Sequence, residues 1–264
     1  MITKENRVKI IQGYWIKYLF IVILMITSIR IILAPIHKKT EFEKLVSNDS
    51  IFVSMPDTIW NDYSLSPIIR EYSYNEAMFN LSKNDSIQLV VNLHDSTVNL
   101  FIKGVQIHKT KIKHFGEDNL LLNISNKQYL KLFSKPLNIK KQKATIVKEP
   151  IVLRHAPKDT ADAAINAWKP DTLVQNPAFV SYILDYGINI IFEQEMNNTL
   201  HDKYVKNMFY LKIRFNRTYK AVFDLLLFKK PEYIPVIKIK IPVNELRAVY
   251  RALPVQPIVV LYLH

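Results

Sequence analysis

The stretch from Tyr18 to Ala34 is almost wholly apolar, broken by Thr27, Ser28 and Arg30. Extended back to Tyr14 and forward to Ile36, it is long enough to cross a bilayer as a helix, which takes about 20 residues. Tyr14, Trp15 and Tyr18 fall where an aromatic belt meets the interface. Lys17 and Arg30 lie towards the two ends, where long cationic side chains can reach the headgroups. Lys4, Arg7, Lys9 and Lys17 precede the run with only Glu5 to offset them, whereas His37, Lys38 and Lys39 are followed by the acids Glu41 and Glu43. The positive-inside rule therefore predicts a single-pass membrane protein with its N-terminus in the cytoplasm and its bulk outside. A cleaved signal peptide is the competing reading, but no small-x-small cleavage site follows the apolar run.

Three regions are expected: residues 1–39 as tail and anchor, 40–85 as a stalk or lead-in, and 86–264 as the folded domain. Hydrophobic residues make up 49% of the chain, enough to bury a core. The formal net charge is +13, of which +6 falls in residues 1–39 and +7 in residues 40–264. A basic exported part favours acidic partners such as wall polymers or anionic headgroups. Nucleic acid is not an expected partner: there are no zinc-ligand pairs, no basic helix leading into heptads and no aromatic RNA-binding strand. With only 4 glycines there is neither GxGxxG nor GxxxxGK[ST], so no phosphate-cradling loop and no cofactor are expected. Zero cysteine excludes disulfides, thiolate metal sites and cysteine nucleophiles.

Phe42 to Leu45 reads as a short helix, and Ser66 to Leu81, with Pro67 near its start, as another. From Ser86 the pattern turns to strands: Ile87–Leu93, a turn at His94-Asp95-Ser96, Thr97–Ile102, a turn at Lys103-Gly104, then Val105–Ile112. Gln142–Leu153 reads as an edge strand because of Pro150. Lys158–Trp168 has helical spacing, and Phe179–Phe192 reads as strand–turn–strand around Gly187. Lys203–Phe228 suggests a mixture of strand and helix. Val236–Ile241 is a strand, Asn244–Ala252 a helix, and Pro257–Leu263 a final strand. The expected class is mainly β with a few helices.

Three of these stretches resemble, in order, the catalytic domain of the L,D-transpeptidases, the cysteine-dependent cross-linkers of bacterial peptidoglycan. They are Val90-Val91-Asn92-Leu93 to Gly104-Val105, Asn176-Pro177-Ala178-Phe179 to Gly187-Ile188-Asn189-Ile190, and the strand–helix–strand from Ile239 to Tyr262. The resemblance covers about residues 86–264 and implies an L,D-transpeptidase-like β-sandwich. It also implies where the family's chemistry would lie. The His-Gly pair falls at Ile191-Phe192, and the Ser/Thr-His-Gly-Cys run at Pro235-Val236-Ile237-Lys238, with Lys240 keeping the basic residue beyond it. A thioester mechanism needs a thiolate and an imidazole, so the resemblance implies a pseudoenzyme. Ile191, Pro235, Lys238 and Lys240 would then mark a degenerate groove that binds without reacting.

Other chemistry is sparse. His155 with Asp159 and Asp162 is the nearest approach to a metal constellation, but that pattern also suits a capped helix start; no metal site is expected. His108 and His114, among Lys109, Lys111 and Lys113, suit a solvated basic face. Lys238 reads as an outward residue in the alternation Ile237 to Ile241, and there is no G-x-S-x-G elbow. Trp60, Trp168 and the 14 tyrosines can stack on sugars but serve equally as packing. The expectation is an inactive envelope protein that binds peptidoglycan or a wall-building or secretion partner. A wall-acting enzyme with a relocated site and a structural subunit of a membrane complex are its rivals.

Overall fold

The computed structural model describes residues 4–47, 60–148, 177–195, 199–227, 229–230 and 232–263. Among them are six α-helices and nine strands, a mixed α+β protein. The first helix, α1 (Lys4–Ser47), holds the whole apolar run and continues past Pro35 into the region expected as a lead-in. Among the described residues it is the helix long and apolar enough to cross a membrane. Ile23, Met25, Ile29, Ile32 and Ile36 are exposed along it. From Ala34 onwards a single stripe turns inward: Ala34, Lys38, Phe42 and Val46, spaced by four, are all buried. Phe42, 1% exposed, belongs to the main core.

Helix α2 (Ser66–Leu81) begins with Pro67 in its first turn, where a missing N–H costs nothing. Its Ala77 and Leu81 pack on Val90, Phe101 and Val260 of the sheet. The segment expected as a stalk or lead-in contributes to the packed body through both α1 and α2, and α2 has the bounds its sequence predicts.

The strands are β1 (Gln88–Asn92), β2 (Thr97–Ile102), β3 (Val105–Lys111), β4 (His114–Gly116), β5 (Leu137–Ala144), β6 (Phe179–Leu184), β7 (Asn189–Gln194), β8 (Val236–Ile241) and β9 (Ile258–Tyr262). They form one hydrogen-bonded ladder of nine strands in the order β3-β2-β1-β9-β5-β6-β7-β8-β4. The β1–β9 and β7–β8 pairs are parallel and the rest antiparallel. Strands β3 and β4 occupy opposite edges, yet only Ile112 and Lys113 separate them. Three peptide steps span at most about 11 Å, so the sheet must curl until its edges meet. The link is stitched on both sides: Ile112 N–H donates to Ser96 O and Lys113 N–H to Lys240 O, each at 2.8 Å.

Inside the curl lies the main core, built from alternate residues such as Leu89, Val91, Tyr182, Phe192, Ile237 and Leu261. Two short helices, α3 (Asn119–Leu122) and α4 (Asn126–Phe133), add Leu121, Tyr129, Leu132 and Phe133 to it. Helix α4 starts at a capping box between Ser125 and Gln128. Helix α5 (Leu200–Leu226) is one continuous helix where a strand-and-helix mixture was expected. It lays Val205, Phe209 and Ile213 over Phe179 and Ile191 on the outer face of the sheet. Helix α6 (Val243–Ala252) buries Leu246, Val249 and Tyr250, as its spacing predicts. The expected Lys158–Trp168 helix and residues 149–153 of the expected Gln142–Leu153 strand lie outside the described residues; of that strand, Gln142 to Ala144 belong to β5, which starts earlier, at Leu137.

Three turns among the described residues use the left-handed backbone, the first at Ser96 (φ 52°) between β1 and β2. Lys103 (φ 50°) and Gly104 (φ 79°) close the β2–β3 hairpin, the pattern of a tight two-residue turn. Tyr186 (φ 59°) and Gly187 (φ 74°) turn the chain between β6 and β7.

Candidate functional site

The four residues marked by the resemblance lie on and beside two adjacent strands. Ile191 and Lys238 are register partners, and Lys240 stands opposite Glu193. Pro235 is buried and its carbonyl accepts from Asn189 N–H at 2.9 Å. Ile191, 2% exposed, is packed with Phe209 of α5. The helix occupies the space over Ile191, leaving Lys238 exposed at its margin with Nζ 5.8 Å from the Tyr210 ring centroid.

Glu193, which sequence reading did not single out, is the ionic centre of this face. Its side chain is 13% exposed, Lys206 Nζ lies 2.9 Å from Oε2, and the Tyr210 hydroxyl donates to Oε1. Burial alone pushes the carboxyl up, but the Tyr210 and Lys206 hydrogen bonds and the charges of Lys206 and Lys238 outweigh it. Glu193 is thus held below the ordinary glutamate range. Tyr210 moves the other way: burial and the Glu193 carboxylate push its hydroxyl far up, so it stays a donor. The cluster ties α5 to β7 and is neutralised from within.

A larger feature lies further along the same helix. A cleft of about 760 Å³ opens between β5, the β6–β7 turn, α5 and the inward stripe of α1. Six cations line it: Lys38, Lys140, Lys141, Lys143, Arg217 and Lys220. Three carboxylates, Glu41, Asp185 and Glu232, face them, and each is already paired within the wall. Lys38 holds Glu41 at 2.8 Å, Lys140 holds Asp185 at 3.0 Å, and Lys220 bonds Glu232. Burial pushes the Asp185 carboxyl up, but the Asn138 backbone N–H, Lys140 and the Asn138 amide prevail and hold it below its usual value.

The chain builds this wall through an irregularity. The register of β5 against β6 slips between Ile139 and Lys141. A bulge adds a residue without reversing the next one's face, so Lys140 and Lys141 both line the cleft, followed by Lys143. Burial pushes the Lys143 ammonium below its ordinary value, and the nearby charges of Lys212 and Lys141 push the same way. Cations crowd here beyond what the local carboxylates neutralise. Sequence reading began this strand only at Gln142 and singled out none of residues 137–141; the doubled lysine interrupting the alternation was the available signal.

His108 Nε2 lies 2.7 Å from Glu245 Oε2 and 3.0 Å from Thr110 Oγ1, and Thr110 also donates to Glu245 at 2.9 Å. One ring nitrogen meets both hydroxyl and carboxylate, so the imidazole is not oriented through its second nitrogen as a triad base requires. The cluster is a polar clip from β3 to α6. His114 is paired with Lys240 on an exposed edge. Among the described residues, no three His, Asp or Glu side chains gather where they could hold a metal; His155, Asp159 and Asp162 lie outside them. Compared with known protein families, curated proteins and solved structures, the chain matches none.

Proposed function

We propose that this is a single-pass envelope protein whose folded domain holds an anionic ligand at the membrane surface without transforming it. In this reading α1 spans the inner membrane with its N-terminal side in the cytoplasm, and the domain lies outside. The observation that carries it is the cationic cleft at the root of the anchor. Lys38 lines the cleft and follows the apolar run by two residues. Its site is therefore within reach of ligands carried by the bilayer itself.

The resemblance to L,D-transpeptidases selects peptidoglycan, rich in carboxylates, and its phosphate-bearing lipid-linked precursor as the ligands to test. The protein would act as a scaffold or regulator of wall building, with no cofactor. Binding suits the cleft better than reaction, because its carboxylates are each engaged by a lysine and none is poised as a base.

The test uses the full chain in detergent micelles, mixed with purified sacculi or with precursor-loaded nanodiscs across a salt series. Retention that survives high salt and is lost in Lys141→Glu/Lys143→Glu supports the reading. Retention that fades with salt is charge alone. No retention on either ligand sinks it and points to a protein partner.

A further inference from the structure

Helix α5 carries two apolar faces, and the sheet uses only one. Val205, Phe209 and Ile213 pack on the strands. Tyr204, Met208, Leu211, Phe215, Tyr219 and Val222, repeating at steps of three and four, form a second stripe that is exposed along its length. Tyr219 is 65% and Phe223 50% exposed, and their rings stack with centroids 6.4 Å apart. Exposed aromatic and aliphatic residues in such a row mark a contact surface.

The height of the helix end identifies the contact. The Arg30 guanidinium donates to the backbone carbonyl of Lys229, just past the end of α5. Arg30 sits inside the apolar run of α1, eight residues before Lys38, which is about 12 Å along a helix axis. Ala34, also within the run, is 5% exposed and thus already covered by protein. The chain that follows α5 therefore descends beside α1 below the level at which the apolar run ends. Residues 219–230 contain three lysines (Lys220, Lys229, Lys230) and one acid, Asp224. That composition suits a segment that dips its apolar residues past the headgroups of an anionic leaflet.

We infer that the C-terminal half of α5 is a second membrane contact. Phe215, Tyr219, Val222 and Phe223 enter the headgroup–acyl boundary of the leaflet from which α1 emerges, and the Lys229 and Lys230 side chains reach back from below it to the headgroups. The inference rests on α1 spanning the membrane. It adds that the domain is seated on the bilayer by two elements rather than tethered by one, which fixes the opening of the cationic cleft relative to the lipid surface.

The cysteine-free chain makes the test direct. Single cysteines replace Phe223, Tyr219 or Phe215, with Tyr72 on α2 as an aqueous control and Ile23 in α1 as a span control; all five side chains are exposed, so the fold tolerates the change. The full-length protein, labelled with an environment-sensitive fluorophore, is reconstituted in vesicles of phosphatidylcholine and phosphatidylglycerol. Nitroxide-bearing lipid and aqueous iodide then serve as competing quenchers. The expected result is several-fold stronger lipid quenching at 223 and 219 than at 72, with iodide showing the reverse order. If position 23 is lipid-quenched but 219 and 223 respond to iodide, the proposal fails while the anchor stands. If 219 and 223 are shielded from both quenchers, a protein surface covers the stripe and the proposal also fails. If position 23 itself is not lipid-quenched, the anchor reading falls and this proposal with it.

Discussion

Ile191 and Lys238 stand side by side across the β7–β8 pair, yet one is sealed and the other open. Phe209 of α5 covers Ile191, while Lys238 projects past the helix towards the Tyr210 ring. Replacing Ile191 by alanine leaves a cavity under α5 and should cost about 2–5 kcal/mol. Lys238→Ala removes one exposed cation–π contact and should cost no more than about 1 kcal/mol. Urea unfolding followed by circular dichroism compares the two; equal effects would mean that α5 does not cover Ile191.

Glu193 makes stability depend on acid. Its folded pKa lies below its unfolded value, so its contribution is fully present above the unfolded range, about 4.3. That contribution is lost as the pH falls through the folded value. Asp185 and Glu245 are shifted in the same direction and add to the slope. Glu193→Gln should flatten the fall of the urea midpoint between neutral and acid pH, and leave the alkaline side unchanged. A slope identical to that of the parent chain would show that the Lys206 and Tyr210 contacts do not bias its ionisation.

Phe42 sits six residues beyond the apolar run but is part of the main core. Phe42→Ala should destabilise the domain by about 3–5 kcal/mol. A fragment starting at residue 48 should fail to fold, because it lacks Ala34, Lys38, Phe42 and Val46. Thermal melts of a chain begun at residue 34 and one begun at residue 48 make the comparison; a cooperative melt in the shorter chain contradicts the packing of α1.

Gly104 has φ 79°, and a β-carbon there would meet Ser82 Cβ at 2.8 Å. Gly104→Ala is therefore strained twice, by backbone conformation and by contact. A loss of about 1–3 kcal/mol is expected, read from the urea midpoint. Gly116, in open space, serves as the control.

The helix α5 and the sheet order show where sequence reading stopped. Strand β1, the Lys103-Gly104 turn, the β6–β7 pair and the helix from Asn244 were all legible, because alternation and turn chemistry act between neighbours in the chain. Helix α5 was ambiguous because it carries two apolar stripes, and each blurs the other's period. Ile191, Pro235, Lys238 and Lys240 were placed near one another by likeness to a family, but Glu193, Lys206 and Tyr210, which surround them, come from a strand and a helix with no shared motif.

By itself the sequence determined the apolar run, the absence of thiol chemistry, the surplus of positive charge and most local elements, since each depends on composition or on near neighbours. Only the tertiary structure decided that β1 lies against β9, that β3 and β4 meet around a curled sheet, and that Phe42 belongs to the core. It also gathered Lys38 from the first helix, Lys140 to Lys143 from a bulged strand, and Arg217 and Lys220 from α5 into one cleft. Those contacts join residues far apart in the chain, and they form because the apolar faces of remote elements are buried against one another. The cations travel with the faces that carry them.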